Sequence, residues 1–226
     1  MRIGIDAHII LPKHKRYNPA IAKYTEDLVT HLVEAEGAEA HTWVVFFDQR
    51  MRGTDKMGQF EKLFQKRFGK DWKKKVVVKH FPFVQYRKYL PVVYSHMLIS
   101  SFLTGARLDI FHSPEGLIPY LYPGKIVTTF HYIPRGVGDS GIFVRTFMLG
   151  ARAAFAQLCR RASRIIVSKE NDKKILMERH GFPGERVVVM ENSNGKAINW
   201  KSRVAKLLNV YEEVGQKAKK AKSKAA

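Results

Sequence analysis

The sequence predicts an α/β fold: a Rossmann-like open parallel sheet of about seven strands with helices on both faces. Three observations predict it. Short runs such as Trp43–Phe47, Val76–Val78 and Val187–Val189 are continuously apolar rather than alternating, as in strands buried on both faces. Stretches with helical apolar spacing separate these runs, which is the rhythm of strand-helix-strand units. At 226 residues and 45% hydrophobic, the chain is long enough for one large domain with a real core.

The elements follow in order. Arg2-Ile3-Gly4-Ile5-Asp6 reads as the first strand, and Ala7 to Asn18 as a loop. Asn18 can cap a helix and Pro19 suits its first position. Ile21, Tyr24, Leu28 and Leu32 share one face, and Gly37 is placed to end the helix. In an open α/β sheet this first turn faces the ligand crevice, and a helix amino-terminus there attracts anions. Further strands are expected at 42–47, 75–80, 108–112, 125–130, 164–168 and 186–190. Helices are expected over 57–68, 91–106, 141–162 and from the end of the sixth strand to His180, where Gly181 begins a turn. The last helix, from Asn199 to Val214, has one apolar face made by Val204, Leu207, Leu208 and Tyr211. This divides the chain into a domain at 1–195, a helix at 196–215 that packs back on it, and a basic tail at 216–226.

Composition bounds the function. Forty Lys and Arg against 20 Asp and Glu give a net charge of +20. The tail holds five lysines and no acid, so the body still carries +15. Positive charge spread through a folded body points to a polyanionic partner: RNA or another polyanion first, an anionic membrane surface second. Between Lys62 and Lys88 lie ten Lys or Arg and one acid, Asp71. Phe64, Phe68, Trp72, Phe81, Phe83 and Tyr86 are interleaved with them. Such a band can grip phosphates and stack bases, or its aromatics can be core and its lysines a solvated face. The candidate polyanion contacts are Lys62, Lys66, Arg67, Lys73, Lys74, Lys75, Lys217, Lys219 and Lys220. The single cysteine, Cys159, excludes an internal disulfide and is expected to be buried. No cofactor and no metal site is expected, because His112 and His131 at successive strand ends lack a nearby third ligand. No signal peptide or membrane span is expected, which points to the cytoplasm or an organelle matrix.

Several stretches carry a resemblance. Met1-Arg2-Ile3-Gly4-Ile5-Asp6-Ala7 with Ala20-Ile21-Ala22-Lys23-Tyr24-Thr25 resembles the start of the family-4 retaining glycosyltransferases, "RIGIDAR…GIGRYT". Leu108 to Pro119 resembles that family's "DVFHSP…LP", and Gly124 to Pro134 its "VVTIHDLIP". Arg161 to Gly195 resembles "RADRIIVVSEFSK…FGVPEEKIVVIPNGVD", and Trp200 to Val214 the helix that closes those enzymes. The resemblance implies the acceptor-side half of a GT-B enzyme, with strand order 3-2-1-4-5-6-7. It implies a catalytic role for His131, and an acceptor and phosphate loop around Lys23, Glu115 and His112.

The departures from the family pattern are chemical. Both loop glycines are alanine (Ala20 and Ala22), and each Cβ obstructs close approach of backbone to a phosphate or sugar. Lys23 replaces an arginine, His8 replaces another, and Tyr132 stands where the family has an acid. The nucleotide-sugar domain has no counterpart between Gly195 and Asn199. The first reading is therefore a degenerate glycosyltransferase-like domain, non-catalytic alone, kept as a basic binding or structural subunit on a polyanion. The alternative is the acceptor-binding half of a split glycosyltransferase, retaining and hexosyl-transferring, whose donor is bound by a separate nucleotide-sugar-binding chain. A third is an isolated half-domain made by engineering.

Overall fold

The computed structural model describes residues 1–11, 18–81, 92–119, 121–133, 155–157, 159–191 and 198–223, with backbone alone at 92–96 and 217–223. Seven parallel strands form one sheet in the order β3-β2-β1-β4-β5-β6-β7. They are β1 Arg2–Asp6, β2 Thr42–Asp48, β3 Val76–Phe81, β4 Ile110–Ser113, β5 Lys125–Phe130, β6 Arg164–Val167 and β7 Val187–Val189. The fold is thus the expected Rossmann-like open sheet, in the strand order that the resemblance implied.

The helices are α1 Pro19–Glu34, α2 Asp55–Phe68, α3 Trp72–Lys75, α4 Val92–Gly105, α5 Glu170–His180 and α6 Trp200–Ser223. The Asn18 side chain caps α1, accepting from the Ala20 and Ile21 amides. The helix ends three residues before Gly37, which instead takes φ 81° ahead of a 3₁₀ turn at Ala38–Ala40. Thr54 caps α2 through the Met57 amide. Gly181 closes α5 in the left-handed conformation, as its position predicts. Two helical features differ from expectation. Trp72–Lys75 forms a short helix, so Lys75 precedes the third strand rather than opening it. The last helix also runs past Val214 to Ser223, taking in most of the basic tail. Of the expected helix over 141–162, residues 141–154 and 158 lie outside the described set, as do 192–197.

The sheet is covered on both faces. On one, α1, α2 and α6 bury Leu28, Leu32, Phe64, Val204, Leu207 and Tyr211 against Ile3, Ile5, Val45 and Phe47. On the other, Ile99, Leu103, Cys159, Ile175 and Leu176 pack on Phe46, Phe111, Ile126 and Ile165. This is why each strand is apolar at consecutive positions. Gly4 lets the layers close: a Cβ there would lie 2.5 Å from the Leu108 side chain and 2.9 Å from Phe46. Cys159 has no exposed surface, and burial pushes its thiol up to about 12. No helix of the described residues is long and apolar enough to cross a membrane.

Candidate functional site

The crevice is expected at the carboxyl ends of the strands, where residues 12–17, 82–91, 134–154 and 192–197 lie outside the described set. Because β1 pairs with β4, with Ile5 opposite His112, the loops leaving these strands are neighbours. Asp6 ends β1, His8 follows two residues on, and Glu115 follows β4 by two. The three side chains meet there. The His8 Nδ1–H donates to Asp6 Oδ1 at 2.5 Å, and its Nε2 lies 3.1 Å from Glu115 Oε1. His8 and Asp6 are buried and Glu115 nearly so. Burial opposes a charge on His8, but Asp6 and then Glu115 outweigh it and raise the imidazole to about 10. His8 is therefore a cation at neutral pH, clamped between two carboxylates. The three groups lie close enough together to surround a metal ion, but each ring nitrogen already faces its own carboxylate. Asp6 Oδ2 is buried without a hydrogen bond.

The sequence-predicted residues separate in space. His131, one residue past β5, is partly buried. Its Nε2–H donates to the Pro114 carbonyl at 2.8 Å, and its ring meets Tyr24 edge-on at 4.7 Å. Burial, helped by the Arg203 charge, lowers its pKa, so it is a neutral ring with its lone pair at Nδ1. Glu115 is committed to His8. His112 has no exposed surface. Its Nδ1 pairs with the Tyr211 hydroxyl at 2.6 Å and its Nε2 with Thr129 Oγ1 at 3.0 Å. Burial lowers its pKa to about 3, which keeps it neutral. It ties β4 and β5 to α6 and presents nothing to the crevice. Lys23 faces solvent and pairs with Asp27 one turn along at 2.6 Å.

Among the described residues, several anion-attracting groups at this end are already used. Asn18 takes two of the free amides of α1, Asp27 takes Lys23, and Asp6 and Glu115 take His8. The His8 cluster carries one net negative charge, which repels a phosphate.

The basic band has a different character. Phe64 is fully buried and offers no stacking face, while Phe68 and Trp72 are half-buried and pack against the same core. Phe83 and Tyr86 lie outside the described residues. Arg67 donates to the Ala35 carbonyl and pairs with Glu39, while Lys75 donates to the Glu39 carbonyl. These two cations tie α2 and α3 to the turn after α1. Lys74 pairs with Asp71 at 3.1 Å, both fully in solvent, which holds it only weakly. Lys62, Lys66, Lys70 and Lys73 are exposed, and none has a carboxylate partner among the described residues. Lys217, Lys219 and Lys220 sit on the last turns of α6, where only the backbone is described.

Sequence reasoning missed the His8 cluster. The signal was present as Asp6-Ala7-His8 after β1 and Glu115 after β4, but linking them required the β1–β4 pairing. It also missed Arg203, buried on α6, whose Nε reaches the Tyr24 hydroxyl at 3.3 Å and whose guanidinium lies over that ring.

No protein-family model matches this chain, and no curated protein matches it. Among solved structures it is similar to a glycosyltransferase from Rickettsia africae ESF-5, at 16% identity and a TM-score of 0.44. The match covers 84% of this chain and 42% of that one, so the chain spans less than half of that protein's length.

Proposed function

We propose that this chain is a non-catalytic, glycosyltransferase-like subunit that binds a polyanion, with an RNA-rich particle as its setting. One contrast, among the described residues, supports the reading: His8 and Lys23 at the crevice end are paired with acids, whereas exposed Lys62, Lys66 and Lys73 on α2 and α3 have no acid partner. A site that handles a nucleotide diphosphate needs free cations or free helix amides. Among the described residues at the crevice end, His8, Lys23 and two amides of α1 are committed internally. The exposed lysines of α2 and α3 lie on the outer surface, where phosphate neutralisation supplies affinity without sequence reading.

The test is the native size of the protein in extract from its source, by gradient sedimentation with and without RNase. Co-sedimentation with a large particle, collapsing to a light fraction after RNase, is expected. A light position unchanged by RNase overturns the reading, and flotation with membranes moves the partner to anionic lipid.

A second reading has one specific observation behind it. His131 is neutral and keeps a lone pair at Nδ1, the state a proton acceptor needs. A split glycosyltransferase with a separate donor-binding chain would use it. Sugar transfer by the reconstituted pair, abolished by His131→Ala, would establish that reading in place of the first.

A further inference from the structure

The parallel sheet has two ends, and they differ in how their cations are used. Each helix that joins consecutive parallel strands runs back along the sheet, so helix ends and strand starts share the end opposite the crevice. Many of the cations there hold carbonyls. Arg2 donates to Ala106, Arg67 to Ala35, Lys75 to the Glu39 backbone, Arg161 to Tyr122 and Arg186 to Ala162. These cations complement the negative ends of the helices and are not free for a ligand.

Others at the same end are uncommitted. Arg107 and Lys125 are exposed, and neither has a carboxylate partner among the described residues. With Met1 and Gly215 they line a cleft of about 310 Å³. Asp109, the acid in this cleft, already accepts the Arg2 amide at 2.7 Å. Of the nearby acids on α6, Glu213 pairs with Arg164, and Glu212 is exposed.

α6 delivers a second group of cations to this place. It starts beside the crevice, where Arg203 reaches the Glu191 carbonyl, and crosses the sheet to Gly215, which touches Met1. Val214 and Gly215 are buried and Gln216 is exposed, and the backbone continues as helix to Ser223. At about 1.5 Å per residue, the eight residues after Gly215 span ~12 Å of helix. That stretch holds Lys217, Lys219, Lys220 and Lys222 and no acid.

We infer that RNA docks its phosphate backbone on the amino end of the sheet, between the Arg107–Lys125 cleft and the lysine-rich end of α6. The inference rests on the polyanion reading and places its contact face away from the crevice. Tyr122 in the cleft is buried, so no aromatic face there is open to a base. Recognition is then of backbone and helical shape, and an RNA duplex binds at least as tightly as a single strand of equal length.

The test uses the full chain and fluorescence anisotropy with a labelled RNA duplex over a series of salt concentrations. The variants are Arg107→Gln with Lys125→Gln, and Lys217→Gln, Lys219→Gln, Lys220→Gln with Lys222→Gln, each checked for an unchanged melting temperature. Lys169→Gln with Lys201→Gln, exposed near the crevice end, controls for loss of charge alone. Each amino-end variant is expected to lose about tenfold or more in affinity, with a salt slope shallower by roughly 0.7–0.9 for each phosphate no longer neutralised. The control is expected to change less than about twofold on the same electrostatic grounds. If the unaltered protein binds no RNA, or binds only anionic vesicles of phosphatidylserine, the polyanion-on-RNA reading itself fails. If it binds RNA and the amino-end variants match the control, or only Lys62→Gln with Lys66→Gln weakens it, the reading stands and this docking face is overturned.

Discussion

A histidine and two carboxylates decide the character of the crevice. His8 is held at about 10 because Asp6 and Glu115 outweigh its burial. Its folded pKa lies above the ordinary value of about 6.5, so its contribution to stability is complete below that pH. It is lost as pH rises through about 10. Urea denaturation across this window should show the native protein weakening toward alkaline pH more than His8→Gln does. His8→Gln should itself cost about 3 kcal/mol or more near neutral pH, since it leaves two buried carboxylates without their cation. Equal pH profiles for the two proteins would mean that the cluster is not held by a charged imidazole. His112 shows the opposite use of the same side chain. It is neutral, fully hydrogen-bonded and structural, although its place in the sequence resembles a crevice motif. Residue type and position alone could not separate these roles, because the separation depends on which partner each ring meets.

Among the elements, α6 does two jobs along one helix. Its first part closes the core, with Val204, Leu207, Val210, Tyr211 and Val214 buried. Its last eight residues, 216–223, carry four lysines and no acid. A chain ending at Asn199 should therefore fail to give a cooperative thermal transition, because the sheet face under α6 is left bare. A chain ending at Gln216 should keep its melting temperature within about 2 °C, since the buried face of α6 from Val204 to Val214 stays intact. A large loss of stability in the second truncation would show that the basic extension packs on the body. The strands and most helices were legible in the sequence because apolar runs and caps are local signals. Asn18 and Gly181 act as their types predict. The helical course of the lysine tail was not read, although Lys and Ala favour helix, because the run has no apolar face to mark it. Nor was the commitment of Arg67 and Lys75 to backbone carbonyls, because their partners lie 32 and 36 residues away.

At the scale of the whole molecule, the question is what a net charge of +20 does to a 226-residue fold. Like charges repel across the surface and favour the expanded chain. Exposed pairs such as Lys23–Asp27 and Lys74–Asp71 return little of this, because solvent screens them. The buried His8 cluster is shielded from salt, so added salt should act mainly on the repulsion. Raising salt from low to moderate concentration should then lift the melting temperature by roughly 2–5 °C. Duplex RNA added at low salt should lift it as well, by neutralising the same charges through binding to the folded state. The two effects should not add. At high salt the RNA increment should vanish while the salt increment remains, since counterion release no longer favours binding. Differential scanning fluorimetry over a grid of salt and RNA concentrations measures both. A melting temperature that falls steadily with salt would show that exposed ion pairs outweigh repulsion in this fold. An RNA increment that survives high salt would show contacts other than phosphate neutralisation, and would point away from a surface held by lysines alone.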